Sequence, residues 1–481
     1  MSRARLFVYI TAIGLGLWMV AAPLASLSVS KPNRKPAKSD KSIAILYTSQ
    51  VYGQVRSCNC TKFRYGGYGR QATLMQQLSE KNPDLVLVDC GDALGGDTSK
   101  QGQLKSSLTT KIMSNIGYNA WVPGEMEIAA DLHNLNEQCR ELKVPLTCAN
   151  VFDSTTGKRV CSSHVSFKTA NGARVTVIGL LGKNLVANDV LRNTNVKIGD
   201  PADLLSKLAP TVRKTTDVLL VAAHMTIADA QAIAKLGIGD VVICSHIEKD
   251  LLMPAKDQNE VDAPYSNDQT GVFLKSMTRT NWSVGRLDMK LSQSGKWQAQ
   301  SNKLLYLDRA YEESPAIVKL FDEYNAEVAA FYIEQRLKMR DELDKKIRAR
   351  GLDPDEMRER NKRYAGHAAC KSCHVAAYDV WKSSRHSTAI NTLKKTKQEY
   401  DPECVGCHTT GRDQLSGFVN MKETPELANV QCESCHGAGK AHVAKPAAGY
   451  GVTGEDNCRS CHTDELDPDF DYEVMWKKIA H

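Results

Sequence analysis

The chain has 481 residues, 42% hydrophobic and 24% charged, which is room for two or three domains. Its formal charge of +7 is uneven, because residues 1–41 hold seven Lys/Arg against one Asp and so carry +6 of it. The near-neutral remainder excludes the basic face that nucleic-acid binding needs.

In chain order, Arg3 and Arg5 precede an uncharged apolar run over residues 6–27. As a helix that run would reach roughly 33 Å, enough to span a bilayer. It also reads as a cleaved signal, with Val20-Ala21-Ala22 and Ser26-Leu27-Ser28 as small-residue cleavage sites. Residues 1–29 are therefore expected to be a membrane anchor or a signal peptide, and 30–41 a flexible basic tether. Either reading puts the remainder on the periplasmic side of the cytoplasmic membrane, anchored or released.

Residues 42–308 read as an α/β layered domain. The short apolar runs IAILYT, LVLVDCGD, VTVIGLLG, VLLVAAH and VVICSH are expected as buried strands. Amphipathic patterns over 68–81 and 104–116 predict helices between them. Three further strands are expected over 270–280, 281–292 and 297–307. Asp92, His224 and His246 each fall at the C-terminal end of a predicted strand, the edge where ligands collect in open α/β sheets. One Asp and two His converging there suit a divalent cation such as zinc or manganese.

The order of motifs in this domain resembles the 5′-nucleotidase type of calcineurin-like metallophosphoesterases. The family's T-N-D-x-H-G stands here as Thr48-Ser49-Gln50-Val51-Tyr52-Gly53, and its G-D as Gly91-Asp92. Its G-N-H-E stands as Gly124-Glu125-Met126-Glu127, its lone His as His224, and its G-H-x-H as Ser245-His246-Ile247-Glu248. The resemblance implies two metals bridged by Asp92. One of them would need ligands where this chain has Gln50, Tyr52 and Glu248, so that site is largely lost. The other keeps competent residues in Asp92, Glu125, His224 and His246. Met126 stands where the family has a histidine beside the leaving group, and methionine cannot carry a proton. A two-metal displacement is therefore expected to be weak or absent. The family's separate C-terminal substrate domain is missing, and its place in the chain is taken by the segment described next.

Residues 309–363 are expected to form a helical connector, starting at Ser314-Pro315 and stopping at Gly351. Its apolar positions Ile317, Leu320, Phe321, Tyr324, Val328, Phe331 and Tyr332 recur at helical spacing and should pack on a neighbouring domain. Its later, charged part reads as a solvated arm.

Residues 364–481 contain four C-x-x-C-H motifs: Cys370, Cys373 and His374; Cys404, Cys407 and His408; Cys432, Cys435 and His436; Cys458, Cys461 and His462. Each matches the attachment of a c-type haem, with two thioether cysteines and a proximal histidine. Zinc sites would not need the trailing histidine four times over. Four covalent haems would also supply apolar volume that so short a segment lacks. Eight histidines lie in this segment, the four proximal ones plus His367, His386, His442 and His481, the number that four bis-histidine haems would need. Histidine is expected in the sixth position on at least three haems. Around YAG at 364–366, VQCESCHGAGKAHV and CRSCHTDELDPDFDYEVMW the segment resembles the tetrahaem cytochrome that accepts electrons from hydroxylamine oxidoreductase. The resemblance implies stacked haems and electron transfer with a protein donor and a protein acceptor.

Seven further cysteines, Cys58, Cys60, Cys90, Cys139, Cys148, Cys161 and Cys244, lie outside the motifs. In an exported protein some are expected to pair, with Cys139, Cys148 and Cys161 as candidates. The whole reads as an exported electron-transfer cytochrome. The alternatives are an active metallophosphoesterase or a haem-based reductase of a small nitrogen or sulfur species.

Overall fold

The computed structural model describes residues 41–56, 65–247, 252–254, 258–278, 280–412, 414–451, 453–463, 466–467 and 470–481. The expected N-terminal anchor or signal, the tether up to Ser39-Asp40, Cys58, Cys60 and Glu248 lie outside these residues. No helix among the described residues is long and apolar enough to cross a membrane.

The apolar runs form strands, and these build two six-stranded sheets. The first sheet has the order Glu260–Asp262, Trp297–Tyr306, Ser283–Leu291, Ser42–Thr48, Leu85–Asp89, Ala120–Trp121. The second runs Tyr265–Asp268, Gly271–Lys275, Val241–Ser245, Val218–His224, Arg174–Leu181, Val165–Lys168. Strands buried on both faces read as continuous β-branched runs, and this is why VTVIGLL and VLLVAA show no polar alternation. Ile43, Ile45, Tyr47, Val86 and Val88 of the first sheet share one core with Val175, Val177, Val218, Leu220 and Ile243 of the second. The opposite face of the first sheet packs under the helices Tyr68–Lys81, Lys100–Ile116 and Leu132–Glu141. That of the second packs under Pro201–Val212 and Ile227–Lys235. The result is four layers, helix–sheet–sheet–helix.

Parallel pairing aligns the strand ends that carry the chemistry. Leu181 pairs with His224, and His224 with Ser245. In the first sheet Thr48 pairs with Asp89, which leads into Asp92. The C-terminal edges of both sheets therefore converge.

The connector holds two helices, a long one, Pro315–Arg348, that starts at the expected Ser314-Pro315, and a short one, Pro354–Arg360. Ile317, Phe321, Tyr324 and Val328 recur every three or four residues and are buried against Tyr68, Leu108 and Ile112. Each of these side chains contributes about 1.5–3 kcal/mol of burial free energy. The later part is less of a free arm than its charge suggested, since Arg340 reaches Glu423 at 3.5 Å and Asp344 pairs with Arg358 at 2.5 Å.

The C-terminal segment is made of short helices joined by loops, including His367–Lys371, Val375–Ser383, Pro402–His408, Cys432–His436 and Glu455–Arg459. Its apolar cluster is small, built on Ile390, Leu393, Val405, Phe418, Leu427 and Ala428.

The expected disulfide pairing is corrected. Cys90, Cys139, Cys148, Cys161 and Cys244 are free thiols, all buried. Cys139, Cys148 and Cys161 sit in the core beneath the first sheet as small apolar side chains.

Candidate functional site

At the shared sheet edge, Asp92, Glu125, His224 and His246 come together, with one ligand atom from each lying within 4.8 Å of the others. Glu125 is the hub: its Oε2 lies 2.6 Å from His224 Nε2 and its Oε1 2.9 Å from His246 Nδ1. Asp92 Oδ2 is buried with no hydrogen bond and faces His224 Nε2 at 3.4 Å. Two imidazoles and two carboxylates, one with an unsatisfied buried oxygen, fit a divalent cation such as zinc or manganese.

The backbone is shaped to bring these groups close. Asp92 and His246 have φ of 60° and 67°, values that non-glycine residues rarely adopt. A Cβ on Gly124 would collide with Asp92 Oδ1 and stand 2.8 Å from His224 Nε2, so only glycine admits the cluster there. His224 Nδ1 lies 2.9 Å from both the Cys90 carbonyl and Ser245 Oγ. An Nδ1–H donated to that carbonyl leaves Nε2 as the ligand atom.

The electrostatics follow from burial and pairing. Burial alone would lower the His224 pKa, but the Asp92 and Glu125 carboxylates outweigh it and hold the ring well above its ordinary value. Burial would raise Glu125, yet hydrogen bonds from the two histidines hold it well below the usual carboxylate range. Glu127 lies beneath the cluster and accepts from the N–H groups of Asp92 (2.9 Å), Leu94 (2.8 Å) and Gly124 (2.7 Å). Its burial, with the charge of Asp92, pushes its pKa up to about 8. The sequence reading quoted Glu127 in its motif but gave it no role. Its task is to hold the backbone that aims Asp92.

Where the second metal of the resembled family would need ligands, Gln50 and Tyr52 satisfy each other. Gln50 Nε2 donates to Tyr52 Oη at 2.6 Å, and Gln50 Oε1 accepts from the Ile247 N–H at 2.8 Å. A neutral amide and a phenol offer poor ligands for a divalent ion.

In the C-terminal segment, six of the eight histidines fall into three pairs. His374 and His442 have ring centroids 6.3 Å apart, His386 and His462 6.3 Å, and His436 and His481 5.8 Å. Two imidazoles on opposite sides of one metal, each bound at about 2 Å, hold their centroids roughly 6 Å apart. Each pair joins a C-x-x-C-H histidine to one of the spare ones, so the residues would fit a haem at these three motifs. A cavity of about 480 Å³ opens beside the first motif, lined by Cys373, His374, Val375, Val380 and His481.

Three of the C-x-x-C-H rings are oriented through Nδ1: His408 by the Ala389 carbonyl at 2.8 Å, His436 by the Gly451 carbonyl, and His462 by Asp467 at 2.7 Å. The motifs also approach one another. The Cys370 thiol hydrogen-bonds that of Cys432 and holds its pKa down to about 7, and Cys407 likewise holds Cys461 to about 6. The first motif thus lies against the third and the second against the fourth, and the third also meets the fourth, where Asn457 Nδ2 donates to the Cys435 carbonyl at 3.4 Å.

His367, named as a distal candidate, is placed otherwise. Its ring lies 4.7 Å from Trp381 and 5.9 Å from Tyr378, and its Nδ1 is buried without a hydrogen bond. Among the described residues, its ring contacts are with these two aromatic side chains. Sequence reading missed Tyr450, stacked on His442 at 4.4 Å, and Phe470, stacked on His462 at 4.5 Å. It also missed Glu433, whose buried carboxylate accepts from the N–H groups of Ala365, Gly366 and Gly439. Its position inside the third C-x-x-C-H was the one available signal.

Comparison with known proteins matches both halves. The family described as cytochrome c554 and c-prime matches residues 369–437. Cytochrome c-554 of Nitrosomonas europaea is 37% identical over 92 residues, 16% of this chain and 39% of that protein. The chain joins a 5′-nucleotidase-like domain to a cytochrome c554 domain. A snake venom 5′-nucleotidase from Naja atra is 24% identical over 297 residues, covering 57% of this chain and 55% of its own length. The crystal structure of a 5′-nucleotidase precursor from Thermus thermophilus overlays with a TM-score of 0.50 at 18% identity, covering 60% of this chain and 59% of that one. That likeness shows a shared fold. This chain spans about four- to six-tenths of the length of the curated relatives named here.

Proposed function

We propose that this protein is an exported electron-relay cytochrome with four covalent haems, whose phosphoesterase-like domain keeps one metal site and has lost two-metal hydrolysis. The observation that carries the relay is the spacing of the three histidine pairs. Such a spacing would suit two imidazoles that hold one iron between them, and an iron so held would favour electron transfer over ligand binding. Cys370, Cys373, Cys404, Cys407, Cys432, Cys435, Cys458 and Cys461 would carry the thioethers. His374, His408, His436 and His462 would be the proximal ligands, with His442, His481 and His386 opposite the first, third and fourth. Bound haem supplies an iron that cycles between ferric and ferrous. The chain's own part is to fix His408, His436 and His462 through their Nδ1 hydrogen bonds, to cover the rings of His442 and His462 with Tyr450 and Phe470, and to bring the motifs close together.

The loss of hydrolysis is supported by the Gln50–Tyr52 pair and by Met126. Without a second cation and a proton carrier, the attacking and leaving oxygens of a phosphoester lack their clamp. Asp92, Glu125, His224 and His246 would hold the remaining ion. Donor and acceptor proteins, and the periplasmic side of the membrane, complete the reading.

Intact-mass spectrometry of the exported full chain tests it. Four haem additions per chain are expected, falling to three in a Cys404→Ala/Cys407→Ala variant. Fewer than four in the wild type would overturn the four-haem relay.

A further inference from the structure

The second haem motif differs from the others in what holds it. It lies on the helix Pro402–His408, and the residues just before Cys404 are gripped by the nucleotidase-like domain and the connector. Among the described residues, four polar contacts reach positions 396–403. Asn325 Nδ2 donates to the Thr396 carbonyl at 2.9 Å, and Lys397 pairs with Asp322 at 2.6 Å. Gln101 Nε2 donates to Asp401 Oδ1 at 2.7 Å, and Lys105 Nζ pairs with Glu403 at 2.6 Å.

The Gln101–Asp401 contact is buried, whereas the Lys105–Glu403 pair lies at the solvent edge of the seam, with Glu403 exposed. Asp401 is 5% exposed and Gln101 likewise 5%, so this hydrogen bond is closed to water. The same Asp401 carboxylate caps its helix by accepting from the Glu403 N–H at 3.0 Å. Gln101 is itself fixed from the other side, because Tyr332 Oη on the long helix donates to its Oε1 at 3.0 Å. Tyr332, Gln101, Asp401 and the helix of Cys404, Cys407 and His408 thus form one hydrogen-bonded chain across the seam. Gln101 and Lys105 stand on the first turns of Lys100–Ile116, a helix entered from Asp92 through a loop of seven residues.

We infer that the nucleotidase-like domain positions and electrically tunes the second haem site, through Gln101 and Lys105 acting on Asp401 and Glu403. The inference rests on the reading of Cys404–His408 as a haem site. It gives the phosphoesterase-like domain a task that needs no hydrolysis. Two carboxylates, one buried, lie within three residues of Cys404, and negative charge beside a haem favours its ferric form. Lys105 offsets one of them. Low effective dielectric around buried Asp401 keeps its charge from being screened, while the exposed Glu403 and its Lys105 partner act more weakly and in a salt-dependent way.

Optical redox titration of the full-chain holoprotein tests this, with far-UV circular dichroism confirming the fold of each variant. Asp401→Asn keeps an oxygen for Gln101 and for the cap while removing the charge. It is expected to shift one resolved haem component to higher potential. Glu403→Gln should shift the same component in the same direction, and Lys105→Ala should shift it to lower potential. A merely structural seam would not give opposite signs. Shifts of all components together, shifts of one sign in all three variants, or no shift would overturn the inference. Peptide mass spectrometry of the segment holding Cys404 and Cys407 separates the two claims. Haem present there with no shift sinks the positioning role alone, and haem absent sinks the relay reading with it.

Discussion

Glu433→Ala is the most demanding stability test of the cytochrome segment. The carboxylate is buried, 5% exposed, and accepts three backbone hydrogen bonds, from Ala365 at 2.8 Å, Gly366 at 2.8 Å and Gly439 at 2.7 Å. It ties the entry to the first motif to the helix of the third. A hydrogen bond to a charged group contributes about 1.5–3 kcal/mol, and a buried N–H left unsatisfied costs about 1–3 kcal/mol. Removing the side chain admits some water, so the three losses overlap and the total is on the order of 3–5 kcal/mol. Glu433→Gln keeps one acceptor oxygen but turns an NH₂ toward an N–H, and should lose about 2–4 kcal/mol. Urea unfolding of the haem-loaded chain, followed in the far ultraviolet, reads both values. A change below about 0.5 kcal/mol in Glu433→Ala would refute the reasoning, because it would mean that water serves these donors equally well.

Three further outcomes are expected. Gly124→Ala should lower metal retention at least tenfold by elemental analysis after dialysis, since its Cβ would stand where Asp92 Oδ1 does. Ser245→Ala should lower metal affinity by about 10–100-fold without unfolding the domain, because Ser245 Oγ contacts both His224 Nδ1 and the Cys90 carbonyl. Trp381→Phe removes the Nε1 bond to the Val430 carbonyl at 2.7 Å and should cost about 1 kcal/mol in the same urea assay.

Much of this arrangement was legible in the residues. Buried strands announce themselves as apolar runs, and a C-x-x-C-H repeats its chemistry in its spacing. Asp92, Glu125, His224 and His246 were found because each ends a strand or follows a motif. What escaped the sequence was long-range. Ser42–Thr48 pairs with Ser283–Leu291, some 240 residues later, and no local pattern encodes that register or the second sheet. Which histidine faces which is equally non-local: His374 meets His442 across 68 positions of chain. His367 has the same residue type and similar proximity to a motif, yet Trp381 and Tyr378 take its ring. Glu127 and Glu433 were given no role because their partners are backbone N–H groups, which every residue offers. The buried thiols were misjudged because export argues for pairing while core packing needs small apolar groups, and sequence alone does not rank the two.

The central claim is that three spare histidines close three irons. Electron paramagnetic resonance of the oxidised, haem-loaded chain tests it directly. His442→Ala, His386→Ala and His481→Ala should each convert one low-spin haem to high spin, and His367→Ala should convert none. A high-spin conversion in His367→Ala, or none in His442→Ala, would contradict the account.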